Sequence, residues 1–150
     1  FDTSFFAHQE EIDLCWRAIN KGYSIQYLFE SKVYHVGGAT LQQGNPKKTE
    51  LNFRNSLLML TKNLPEKDLY KVLFIRMILD GIAGIQFLLK GKFNHFLAIL
   101  KAHVAFYARY SENFKKRSDF QRSEYYITKS IVYSYFVKKI RFFNDLIMFK

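Results

Sequence analysis

Cysteine, proline and acidic residues are all in short supply in this 150-residue chain, which has one Cys, two Pro, and 13 Asp plus Glu against 23 Lys plus Arg. The lone Cys15 excludes an intrachain disulfide and suits a reducing compartment. No signal-peptide pattern stands at Phe1, which says nothing about the targeting of a longer chain; there is no internal repeat and no low-complexity tract, and neither a GXXG loop nor the paired aromatic strands of an RNA-recognition motif. What is present is enough length for a real core, with 49% hydrophobic residues. The charge is divided. Residues 1–46 hold three basic and five acidic side chains, net −2, and the remaining 104 hold 20 basic and eight acidic, net +12. A basic, aromatic, helix-forming segment of that kind meets anionic lipid, nucleic acid or an acidic partner.

His8 to Tyr23, HQEEIDLCWRAINKGY, is the one stretch where charge, apolar period and a stop signal coincide. Ile12, Cys15, Trp16 and Ile19 recur at the spacing of one buried helical stripe, and Lys21-Gly22 supplies a basic last turn and a terminating glycine. At about 100° per residue, Glu10, Asp13 and Arg17 share the polar side, whereas Glu11 falls beside Leu14, Cys15 and Ala18 on the apolar arc. Acids in a first helical turn ordinarily just complement the helix dipole. A carboxylate at the rim of a core is different, because partial burial there makes it a candidate general base.

From Phe1 to Tyr23 the chain resembles the acceptor-side segment of family 2 glycosyltransferases, the inverting GT-A enzymes, whose usual pattern runs GGFDExFFxxxEDxDLCxRxxxxGY. Phe1-Asp2, Phe5-Phe6, Glu10, Asp13-Leu14-Cys15, Arg17 and Gly22-Tyr23 fall in register, and the similarity continues through VYHVGGAT and LNFRNSLLML to about Asn63. The second acid of the family pair is usually Asp; here it is Glu11, a longer arm ending in the same group. The resemblance implies that Glu11 is the catalytic base, that Glu10 or Asp13 orients neighbours or the acceptor, and that Asp2, Phe5, Phe6 and Trp16 lie in the acceptor region. Because the chain begins inside the motif, it also implies that the nucleotide-binding half and its acidic metal motif lie upstream of Phe1, and that the isolated piece is inactive.

Ser24–Phe29 and Lys32–Val36 are short β-branched and aromatic runs, which predicts two strands, followed by a polar loop to Lys48. His35 closes the second run; on the residues alone it is a hydrogen-bonded strand end, and the resemblance implies contact with the metal or diphosphate. Thr49–Leu64 reads as a helix stopped by Pro65. Its Arg54-Asn55 matches the family's RN pair, which implies a guanidinium holding the departing diphosphate through bidentate bonds; without the resemblance Arg54 reads as a surface arginine.

Between Lys71 and Lys90 lie 18 mostly apolar residues, long enough to suggest a membrane span. Arg76 and Asp80 near its middle, with Gln86, Gly81 and Gly84, argue instead for an amphipathic helix, and Phe93 to Tyr110 repeats the pattern. Two helices packed on each other as ordinary core fit the same residues. The end is basic and aromatic: Lys115, Lys116, Arg117, Lys138, Lys139 and Arg141 interleave with Tyr and Phe. At an anionic cytoplasmic leaflet each basic group adds roughly 1 kcal/mol of attraction. The same ingredients bind single-stranded nucleic acid, but the apolar helices upstream favour membrane over nucleic acid; a solvated basic face is the remaining reading.

The expectation is therefore an α/β fragment, the end of a GT-A nucleotide-sugar transferase domain at residues 1–64, followed by a mainly α-helical amphipathic extension at 65–150. The implied activity is inverting transfer from a nucleotide-sugar donor to a saccharide or lipid-linked acceptor in cell-surface polysaccharide synthesis. A divalent metal, Mg or Mn, would be bound mostly by the half upstream. The protein would sit in the cytoplasm, peripheral on the inner face of the membrane. The competing expectation is a non-enzymatic basic helical module that binds membrane or nucleic acid.

Overall fold

Asn45 and Pro46 open the helix around which the others pack. The computed structural model describes residues 1–34, 41–42, 44–126, 128 and 130–148. Among these a 3-10 turn at Thr3–Phe5 leads to α1 (Glu10–Asn20), α2 (Pro46–Asn63), α3 (Glu66–Leu89), α4 (Phe93–Lys115), α5 (Ile131–Phe136) and α6 (Phe143–Met148). The Asn45 carboxamide oxygen accepts from the Lys47 amide at 2.8 Å and Pro46 occupies the first turn, so α2 starts three residues before the Thr49 expected for it. Pro65 forces Leu64 into an extended conformation, ψ 144°, and ends α2 where the sequence places the break. Gly22, at φ 86°, ends α1 in the left-handed conformation glycine tolerates, while the Tyr23 amide donates back to the Ala18 carbonyl at 3.0 Å.

α2 packs most extensively against α4, with α3 and α1 on its other sides. The core joins Phe5, Leu57, Leu58 and Met59 to Leu64, Leu69, Leu73 and Phe106, so it draws on both sides of Leu64. α3 and α4 run antiparallel and approach closely at Gly84, where a Cβ would lie 3.3 Å from the Phe96 ring. α3 is long and apolar enough to cross a membrane by length and composition, and 17% of its most apolar window is buried.

The α/β expectation is not met: the described residues form helices, with no strand and no sheet. Ser24–Phe29 and the described part of Lys32–Val36 are exposed and make no ladder, with only a turn between them in which the Ser31 amide donates to the Leu28 carbonyl at 3.2 Å. β-propensity expresses how well a side chain fits a pleated, half-buried surface, and two short runs with no further strand or core beside them have nothing to fit.

Candidate active site

Three of the four residues before α1 have a positive φ that non-glycine residues seldom adopt: Phe6 at 63°, His8 at 70° and Gln9 at 71°. Each such conformation costs on the order of 1–3 kcal/mol and persists only where surrounding bonds over-determine it. Those bonds come from α2. Asn55, fully buried, donates from Nδ2 to the carbonyls of Phe5 (2.9 Å), Ala7 (2.7 Å) and His8 (2.8 Å). Arg54, 6% exposed, donates from Nη2 to the carbonyls of Ser4 (3.2 Å) and Phe5 (3.1 Å), and from Nε to Asn55 Oδ1 at 2.8 Å. Burial, and then the nearby charge of Arg109, lowers the Arg54 pKa from its ordinary value. The RN pair is thus a clamp on the loop, and its guanidinium is occupied by main-chain oxygens.

The clamp sets where the acids stand. Gln9 gives α1 no side-chain cap, so the helix begins with open amides beside Glu10 and Glu11. Glu11 is exposed, away from the apolar packing expected of it, and Glu10 is half-buried. His8 Nε2 and Glu10 Oε2 are both enclosed without a hydrogen-bond partner among the described residues. Phe5 anchors the loop in the core, whereas Phe6 and Phe1 are exposed.

Asp13 is wholly buried and forms the centre of a polar contact between α1 and α2. Its Oδ2 meets Arg17 Nε at 2.8 Å and Lys62 Nζ at 3.0 Å, and its Oδ1 accepts from Asn63 Nδ2 at 2.9 Å. Lys62, 2% exposed, also reaches Asp2 Oδ2 at 2.7 Å and lies over the Phe5 ring at 4.7 Å. Asn20 donates to the Asn63 carbonyl at 3.2 Å. Helical spacing held the signal for two of these: Asn55 and Lys62 fall on the stripe of Leu51 and Leu58, so the period that buries the leucines buries them too.

Burial alone would raise the Asp2 carboxyl, but bonds from Lys62 and from the Ser4 hydroxyl and amide outweigh it and hold it well below the usual carboxylate range. A depressed folded-state pKa contributes stability that is present above the ordinary value of 3.8 and is lost as pH falls below it. Thermal melts of wild type against Asp2→Asn check this: the wild type should lose stability steeply below pH 3.8, and the variant less so.

The face of Ile12, Cys15, Trp16 and Ile19 is not closed over by core. It lines an open cleft of about 630 Å³ whose other wall is the C-terminal segment, including Tyr125, Tyr126, Ile131 and Phe143. Trp16 stacks on Tyr125 with ring centroids 5.7 Å apart, and the Tyr125 hydroxyl donates to Asp68 Oδ2 at 3.3 Å. Burial and the Asp68 carboxylate push that phenol up to about 12.

The basic residues read as membrane contacts divide. Arg117 donates to the Thr61 carbonyl and, at 2.7 Å, to the Leu64 carbonyl, capping the C-terminus of α2. Lys116 meets Glu112 at 3.1 Å and Asp2 at 3.5 Å, and Arg141 lies over the Tyr135 ring at 4.0 Å. Lys115, Lys138 and Lys139 are exposed. His35 lies outside the described residues, and among the described residues no three His, Cys, Asp or Glu stand together as metal ligands would. Comparison with family models, with curated proteins and with solved structures finds no match to this chain.

Proposed function

We propose that the chain carries the acceptor-side base of an inverting glycosyltransferase. The observation that supports this reading is the clamped loop: five bonds from Arg54 and Asn55 hold a backbone with three positive-φ residues just where two acids enter α1. Backbone strain of this kind clusters at active sites and ligand clamps, which is what motivates the reading. Glu11, exposed at the tip, takes the proton of an acceptor hydroxyl. The hydroxyl oxygen forms its bond to the anomeric carbon as the bond to the diphosphate oxygen on the opposite face breaks, and a nucleoside diphosphate leaves. Glu10 orients the acceptor, and the cleft lined by Ile12 and Trp16 offers aromatic surface on the same helix. The divalent ion implied by the resemblance would be held mostly by residues other than these, and among the described residues no cluster of ligands stands together.

The membrane part of the reading is a peripheral, cytoplasmic enzyme held at an anionic inner leaflet, where a lipid-linked acceptor is concentrated. The test uses the protein with the donor-binding half that this reading requires upstream of Phe1. Nucleoside diphosphate should be released from one nucleotide sugar in a panel, and faster when a saccharide or lipid-linked acceptor is added. Salt-dependent binding of single-stranded oligonucleotides with no turnover of any donor would favour a non-enzymatic basic module instead.

A further inference from the structure

The outward face of α3 is apolar for most of its length. Between Val72 and Ile85 every exposed side chain is uncharged and apolar, among them Phe74, Ile78, Leu79 and Ile82. The two ionisable groups in that stretch are turned the other way. Arg76 Nε meets Asp80 Oδ1 at 2.6 Å, Asp80 is buried, and its Oδ2 meets His103 Nε2 of α4 at 3.1 Å. The Arg76 guanidinium lies 5.4 Å over the Phe53 ring of α2. Charge is thus withdrawn toward α2 and α4 and the far side is left bare.

That face is continuous with part of α4. Phe74 and Tyr107 line one apolar groove, and Val104 and Leu100 continue it along α4 as exposed residues. Lysines frame it at both ends: Lys67 and Lys71 precede the apolar stretch, Lys90 and Lys92 form the turn to α4, and Lys101 flanks the α4 stripe, all of them exposed. From Phe74 to Leu89 the stripe runs about 22 Å at 1.5 Å per residue, interrupted once by the exposed Gln86. Because it covers one side of the helix only, it suits a helix lying in the plane of an interface.

We infer that the α3–α4 hairpin is the membrane-docking surface, with its apolar face in the acyl boundary of an anionic leaflet and its lysines at the phosphates. Lysine stems reach over apolar surface while their ammonium groups stay at the headgroups, which this frame allows. The occupant follows from charge. A second copy related by a two-fold axis would bring the same lysine frame against itself on a hairpin whose residues 66–115 hold eight basic and four acidic side chains, net +4, whereas anionic lipid neutralises it. The inference rests on the membrane reading above and moves its contact surface from the C-terminal basic cluster to the hairpin.

Flotation with vesicles of phosphatidylcholine alone, or mixed with phosphatidylglycerol, tests it using the 150-residue chain. Wild type should float with the mixed vesicles and not with phosphatidylcholine alone. Ile78→Glu with Ile82→Glu, exposed substitutions whose folding is checked by circular dichroism, should lower binding at least tenfold at all salt concentrations. Exchanging Lys71, Lys90 and Lys92 for Gln should weaken it in a salt-sensitive way, and Lys138→Gln with Lys139→Gln should change it little. Wild type that floats with neither vesicle overturns membrane docking altogether. Wild type that floats while the α3 variants match it and the Lys138/Lys139 variant does not overturns the hairpin surface alone. A dimer in lipid-free solution that Ile78→Glu and Ile82→Glu dissolve makes the face a contact between copies and also overturns the inference.

Discussion

Replacing Lys62 by methionine is expected to lower stability by about 3 kcal/mol, the low end of the cost of breaking a buried ion pair, because Asp13 loses one of its two cationic partners. Lys62 is 2% exposed and bridges two carboxylates from separate parts of the chain, Asp2 at 2.7 Å and Asp13 at 3.0 Å. Methionine fills a similar volume but supplies no charge. Asp13, fully buried, then keeps only Arg17, itself partly exposed, and the hydrogen bond from Asn63. For a chain of this size the loss corresponds to a drop of roughly 10 °C in Tm. Adding Asp13→Asn should recover part of it, because it removes the stranded charge and keeps an oxygen to accept from Asn63. A Lys62→Met protein within about 2 °C of wild type would mean that the Asp13 cluster does not hold α1 to α2.

On the proposed glycosyltransferase reading, Glu11→Gln is expected to cut kcat by about 10² to 10⁴, the range for a positioned general base. Donor affinity should survive, since Glu11 is exposed at the tip of α1 and forms none of the contacts that hold α1 in place. Glu10→Gln should cost less, because its half-buried side chain is assigned to orientation. A purely structural acid pair gives the opposite pattern: both variants turn over near the wild-type rate, and the half-buried Glu10 has the larger effect on Tm. Measuring kcat, donor affinity and Tm on the same preparations separates the two.

Helix ends were legible where a residue has one dominant backbone preference. Gly22 ends α1, Pro65 ends α2, and α4 begins at Phe93 as its apolar period indicates. The strands were misread because β-branched and aromatic runs announce a surface to be covered, and nothing among the described residues covers residues 24–34. The faces of α1 were misassigned for a related reason. Period alone sends polar residues to water, but the surface of α2 that meets α1 is itself polar, with Lys62 and Asn63 presented to Asp13. Asp13 is therefore buried, while Ile12 and Leu14 are exposed. The RN pair drew attention for its charge, yet its position on the leucine stripe of α2 was the better guide. It fixes the loop before α1, through bonds to the carbonyls of Ser4, Phe5, Ala7 and His8 that no sequence pattern displays.

The most direct test of base-assisted single displacement at Glu11 is the anomeric configuration of the transferred sugar, read by proton NMR on the first product formed. One base acting on an acceptor hydroxyl opposite the leaving diphosphate gives inversion relative to the donor. A product that retains the donor's configuration would contradict that mechanism and remove Glu11 from the role assigned to it.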